Sequence, residues 1–246
     1  LIFILIELTP RQGDLLELFH GEVVMSREEE IARNLEQVRG RIARAAQEAG
    51  RNIDEITLIV VTKTYPIEDL RTLYELGERN FGENRISEGG EKCAAGFSGV
   101  TWHFQGEVQS NKIKNLVEWA DVIHSLDDLS HAEKINGRGK DKKVLIQVNL
   151  DGEEHRGGIA PEKIHSLAEG ITQMPHLELK GLMAVAPLHG EPELAFANLN
   201  AIYQRFIRDF PRSDWLSAGM SNDFESAIAH GATHIRVGSS ILGKRD

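Results

Sequence analysis

The chain has 246 residues and a formal net charge of −10, which argues against a sequence-independent grip on a nucleic-acid backbone. Hydrophobic residues make up 41% and charged residues 27%, a balance that supports a large core, and about 250 residues is the usual size of one α/β barrel. Cys93 is the single cysteine, so no disulfide framework forms within the chain and a cytoplasmic location is expected.

The N-terminal run LIFILIEL is far shorter than the roughly 20 apolar residues that span a bilayer, and no basic residue precedes it, so neither a membrane span nor a secretory signal is expected. Residues 1–24 read as an N-terminal extension that is not part of the natural protein, with Met25 as the natural start and residues 25–246 as one domain. Ser26 and Glu29, in S-R-E-E, form a capping-box pattern. Ile31, Leu35, Val38, Ile42 and Ala45 follow at helical spacing, and Gly50 is a natural stop.

Strands and helices then alternate. Residues 56–62, ITLIVVT, are a continuous β-branched run of the kind that suits a parallel strand buried on both faces. Pro66 opens a helix to about Leu76, since proline is tolerated in a first helical turn. Further strands are expected at 80–82, 101–105, 122–124, 144–149, 179–185, 215–218 and 234–237. Helices are expected at 110–119, 161–170, 193–209 and 221–230, and the polar run 136–143, NGRGKDKK, reads as a solvated connector. Eight strands alternating with helices predict a single closed (β/α)8 TIM barrel; an open doubly wound sheet is the rival.

Barrel active sites lie at the C-terminal ends of the strands, so polar residues there are the informative ones. Lys63 ends the first strand. It either snorkels to solvent or acts as a Schiff-base amine, because a partly desolvated lysine is more easily deprotonated. In L-S-A-G-M-S-N-D-F-E-S-A-I, Ser221 is placed as the N-cap of a helix whose free N–H groups would receive a phosphate. The turn R-V-G-S-S-I-L-G repeats the idea after the eighth strand with Gly238, Ser239 and Ser240. Arg236 lies inside that strand and needs a partner, either a structural carboxylate or a ligand atom.

Seven motifs occur in order: V-T-K-T-Y-P, F-G-E-N-R, W-H-F-Q-G-E-V-Q-S-N-K, Q-V-N-L-D-G-E-E, G-L-M-A-V-A-P, L-S-A-G-M-S-N-D and I-R-V-G-S-S-I-L-G. Together they resemble the YggS/PROSC family of pyridoxal 5′-phosphate (PLP) homeostasis proteins, from about Met25 to Arg245. The resemblance implies a fold like the alanine racemase N-terminal domain, with PLP held as a Schiff base on Lys63. It implies that Asn84 lies near the pyridine ring or its hydroxyl, that Ser221, Gly238 and Ser239 hold the phosphate, that Arg236 faces the pyridine nitrogen and that Met220 lines the pocket. Gln105, Arg85, Ala218, Asn222 and Leu242 depart from the family pattern. Gln105 and Arg85 are expected at the pocket mouth, where they would alter which molecules approach.

His103 could approach the cofactor or satisfy a strand end. No metal site is expected from the ten histidines, Cys93 reads as inert, and Glu153 and Glu154 read as solvated loop residues. An arginine at the pyridine nitrogen weakens the electron sink that PLP catalysis needs, and a racemase needs a second acid/base on the other ring face. The expected function is therefore PLP storage, delivery or exchange by a monomer, with apo PLP-dependent enzymes as possible recipients. The alternatives are a PLP-dependent amino-acid racemase or related enzyme, and a Schiff-base aldolase.

Overall fold

The computed structural model describes residues 25–153, 156–187 and 189–243. The extension expected at residues 1–24 and Glu154 lie outside them. Helix α1 (Arg27–Glu48) opens with the capping box read from the sequence: the Glu29 N–H donates to Ser26 Oγ at 3.2 Å and the Ser26 N–H donates to Glu29 Oε2 at 2.9 Å. Its apolar stripe, Ile31, Leu35, Val38, Ile42 and Ala45, is buried. Each of the four larger side chains contributes roughly 1.5–3 kcal/mol when taken fully out of water.

The strands β1 (Thr57–Val61), β2 (Asn80–Glu83), β3 (Thr101–Phe104), β4 (Val122–Leu126), β5 (Lys142–Val148), β6 (Leu177–Ala184), β7 (Trp215–Ser217) and β8 (His234–Val237) pair in parallel in sequence order. β8 closes on β1. The closed barrel is the expected one, and the open sheet is excluded. Between the strands lie α2 (Ile67–Glu75), α3 (Ile86–Ala94), α4 (Ile113–Trp119), α5 (Leu129–Asn136), α6 (Ile164–Thr172), α7 (Pro192–Asp209) and α8 (Phe224–Ala229).

One feature differs from expectation, and two others were not anticipated. The polar run 136–143 is not all connector. Asn136 ends α5, and Lys142 and Lys143 begin β5, where a strand start tolerates lysines whose heads reach the barrel rim. The helix after β8, α9 (Ser239–Leu242), is a single turn. Helix α1 packs against α8, α9 and α2 and so completes the outer ring. The Arg27 guanidinium donates to the Leu242 carbonyl at 2.8 Å and the Asn34 amide to the Ile241 carbonyl at 3.1 Å, tying the two ends of the barrel domain together.

Alternation along each strand divides the wall. Val60, Phe81, Phe104, Ile123, Ile146, Leu182, Leu216 and Ile235 face the helices within the main apolar core. The inward set is more polar than a barrel interior filled with branched aliphatics. Val122, Leu145 and Met183 form a small separate cluster, and His103, His124, Ser217, His234 and Arg236 are buried beside it.

Candidate functional site

The first strand delivers Lys63 to the barrel mouth two residues after β1 ends. The backbone there is strained. Thr64 has φ 68°, the only non-glycine at positive φ among the described residues, and a β-branched residue in that region is a genuine outlier. Such strain persists only where the surroundings over-determine it, and here they do. The Thr64 N–H donates to Glu88 Oε1, and the Tyr65 N–H donates to the Thr62 carbonyl at 3.1 Å.

Behind this corner Lys92 Nζ donates to the Thr62 carbonyl at 2.6 Å and to Glu83 Oε1 and Glu88 Oε1 at 2.7 Å each. Thr62 Oγ1 donates to the same Glu83 oxygen at 2.6 Å. Burial raises the Glu83 pKa above the usual carboxylate value despite Lys92. For Glu88 burial is outweighed by hydrogen bonds from Lys92 and Thr64, and its pKa is lowered. Sequence reasoning missed this cluster. Its one signal was the i,i+4 pairing of Glu88 with Lys92 on α3.

At the C-terminal ends of the strands lies a cavity of about 420 Å³, within the usual size of small-molecule sites. Lys63, Asn84, Met220, Ser221, Arg236, Gly238 and Ser239, all seven residues singled out in the sequence, line it. A larger hollow of about 690 Å³ lies among the strand starts and the loops leading into them, at the opposite end of the barrel. Volume does not decide between them; the convergence of a lysine, a buried arginine and two glycine-serine turns on the smaller one does.

Arg236 is fully enclosed, and its guanidinium donates to Ser217 Oγ at 2.8 Å and to the Ala184 carbonyl at 2.9 Å. No salt bridge to it forms among the described residues, so the structural ion pair weighed from the sequence is not what holds it. Burial lowers its pKa to about 10, opposed by attraction to Asp223. It stays cationic at neutral pH.

Ser221 is not a helix N-cap. Helix α8 starts at Phe224, and Asp223 takes the capping position while its Oδ1 accepts the Met220 N–H at 2.6 Å. This tight turn ahead of the helix displaces Ser221 by two positions. Its hydroxyl instead accepts long, weak hydrogen bonds of 3.4 Å from the Gly238 and Ser240 N–H groups, bridging the turns after β7 and β8. The two turns thus form one polar corner, not two separate helix ends. Gly238 is required by its neighbour, because a Cβ there would sit 2.9 Å from the Val61 carbonyl oxygen.

Two polar atoms at this cavity are buried without a hydrogen-bond partner, Asn84 Oδ1 and Gln105 Nε2. An orphaned buried group costs about 1–3 kcal/mol unless a ligand satisfies it. Gln105 can lie there because Gly82 faces it; a Cβ at Gly82 would approach Gln105 Nε2 to 2.9 Å. Arg85, the other departure expected at the mouth, is exposed and does not line the cavity. His103 lies below the cavity, bonded within the barrel interior. Burial raises the Cys93 pKa, consistent with a poorly nucleophilic thiol. Glu153 is exposed.

The family model of the alanine racemase N-terminal domain matches residues 31–246. The pyridoxal phosphate homeostasis protein of Mycobacterium leprae (strain TN) is 38% identical over 240 residues, covering 88% of this chain and 93% of that protein. The protein of the same name from Escherichia coli (strain K12) is 38% identical over 235 residues, covering 88% and 97%. The chain belongs to the pyridoxal phosphate homeostasis protein family.

A solved structure, PipY of Synechococcus elongatus PCC7942 with PLP bound, superimposes with a TM-score of 0.76 at 32% identity, covering 87% of this chain and 100% of that one. Alanine racemase of Corynebacterium glutamicum superimposes with a TM-score of 0.65 at 16% identity over 60% of its length, a likeness of fold alone. The family barrel is therefore the alanine racemase N-terminal type. No helix among the described residues is long and apolar enough to cross a membrane.

Proposed function

We propose that this protein holds PLP through a Schiff base on Lys63 and stores, exchanges or delivers it without efficient turnover. Lys63 would hold the cofactor by its aldehyde, the amine and the aldehyde joining with loss of one water. The groups around the cavity fit the rest of the molecule. Ser221, Ser239 and the N–H groups at the start of α9 suit its phosphate, and the weakness of their 3.4 Å bonds to one another leaves them open to exchange for a stronger acceptor. Asn84 Oδ1, lacking a donor, suits the ring hydroxyl. The Gln105 amide offers a further donor. Met220, partly exposed at 39%, covers the open side.

The observation that carries the reading is Arg236: a buried cation without a carboxylate, on the wall of the cavity that also holds Lys63. Arginine only donates, so a pyridine nitrogen facing it accepts and stays unprotonated, which weakens the electron sink of PLP catalysis. The tyrosines also point away from a second acid/base role. Tyr65 and Tyr74 donate to the Gly243 and Ser98 carbonyls, and burial pushes the Tyr203 hydroxyl up to about 12.

Titration of the purified protein with PLP, followed by incubation with L- or D-alanine, tests the reading. A saturable yellow chromophore with no racemisation or transamination at enzymatic rates is the expected result. Turnover at several per second would establish the racemase alternative instead. The same reading extends to a monomer in the cytoplasm that passes PLP to apo-enzymes.

A further inference from the structure

A chain of hydrogen-bonded side chains runs from Arg236 through the barrel interior to the half-buried Asn80 at the far end of β2. Arg236 Nη1 lies 2.8 Å from Ser217 Oγ, Ser217 Oγ 3.0 Å from His124 Nδ1, His124 Nε2 2.9 Å from His103 Nδ1, and His103 Nε2 3.0 Å from Asn80 Oδ1. Ser217, His124 and His103 are at most 1% exposed.

The direction of every hydrogen bond follows from the two ends. Arginine has only donors, so Ser217 accepts from it. The Ser217 hydroxyl proton then has one acceptor in reach, His124 Nδ1. His124 carries its proton on Nε2 and donates it to His103 Nδ1. His103 carries its proton on Nε2 and donates to the Asn80 carbonyl oxygen. Reversing the chain would make Ser217 accept from both sides and strand its own proton in the core, at a cost of about 1–3 kcal/mol. Both rings must also be neutral: an imidazolium at His103 would set two N–H donors face to face, and one at His124 would make Ser217 accept from both sides and strand its own proton. Burial lowers the His103 pKa to about 3 and the His124 pKa well below the ordinary histidine value.

We propose that Ser217, His124, His103 and Asn80 are positioning residues of the cofactor pocket, a one-directional relay of neutral acceptors that fixes the Arg236 guanidinium against the cavity wall without a directly paired carboxylate. Each lone pair in the relay points back toward the arginine, so the aligned dipoles stabilise a buried cation that no carboxylate pairs. A carboxylate in place of Ser217 would hold the arginine equally well and cancel the charge that the cavity presents. The role assigned to the cavity rests on the PLP reading; the polarity of the relay does not.

Two measurements separate these. Long-range ¹⁵N–¹H correlation NMR of the PLP-free protein at pH 7 should show His103 and His124 both neutral and both protonated on Nε2. A ring protonated on Nδ1, or an imidazolium, overturns the relay whether or not PLP binds. Ser217→Ala should weaken PLP binding about tenfold and shift the absorbance of the bound cofactor, with the Lys63 adduct still formed on borohydride reduction. Ser217→Thr, which restores the hydroxyl, should recover the wild-type spectrum and affinity. A folded Ser217→Ala protein with unchanged spectrum and affinity would show that the relay is packing alone and overturn its positioning role.

Discussion

Two cations are buried near the barrel mouth, one on a helix and one on a strand, and are handled in opposite ways. Lys92, under the β1–β2 corner, spends all three of its protons on the Thr62 carbonyl and on two carboxylates, Glu83 and Glu88. Arg236, on β8, meets a hydroxyl and a carbonyl. The first charge is neutralised where it stands, and its effect is to hold the strained Thr64 corner that presents Lys63. The second keeps its charge and lines the cavity. A buried ion therefore reads as structural or functional by what faces it, not by its burial.

The largest expected effect tests the structural half of this comparison. Lys92→Ala leaves Glu83 buried and unpaired, and breaking a buried pair from one side costs about 3–5 kcal/mol. At about 2–4 °C per kcal/mol for a domain of this size, the melting temperature should fall by roughly 6–20 °C. Arg236→Leu strands no carboxylate, so it should cost less stability and lose more PLP affinity. Thermal melts and PLP titrations of the two variants check this; the reverse ranking would erase the distinction.

Acid should act on the polar interior. His103 and His234 are held down to about 3 and His124 well below its ordinary value, in each case chiefly by burial, with Lys143, Lys180, Arg236 and the neighbouring rings adding to it. A histidine with a folded pKa below its unfolded value contributes full stability above about pH 6.5 and loses it as pH falls toward the folded value. Each ring should therefore remove about 1.4 kcal/mol per pH unit in that window. Urea midpoints should drop steadily between pH 7 and pH 5. A flat profile would mean that the rings bind protons in the folded barrel.

The smallest effect belongs to the orphaned amide. Gln105→Leu should leave the melting temperature within a few degrees and weaken PLP binding about three- to tenfold, as expected for one hydrogen bond of about 1 kcal/mol. Equal affinity would place Gln105 outside the cofactor contacts.

The sequence was most legible where a local rule decided the outcome. The Ser26 capping box, the β-branched run of β1 and the span of β8 need only neighbouring residues, and the motif residues gather at one cavity because barrel strand ends converge. It was least legible where distant residues compete or combine. Ser221 has the chemistry of an N-cap, but Asp223 wins the position through its bond to Met220. The His124–Ser217 contact joins residues 93 positions apart on strands of only three to five residues, too short for alternation to mark an inward face. Nothing local foretold that α1 completes the outer ring where α9 is only one turn long.

The central claim, a PLP carrier built on Lys63, is tested most directly by reducing the PLP-loaded protein with borohydride and locating the adduct by peptide mass spectrometry. Wild type should carry one pyridoxyl group, on the peptide containing Lys63, and Lys63→Ala should carry none while melting normally. An adduct on Lys112 or Lys114, or one that survives in Lys63→Ala, would contradict the account.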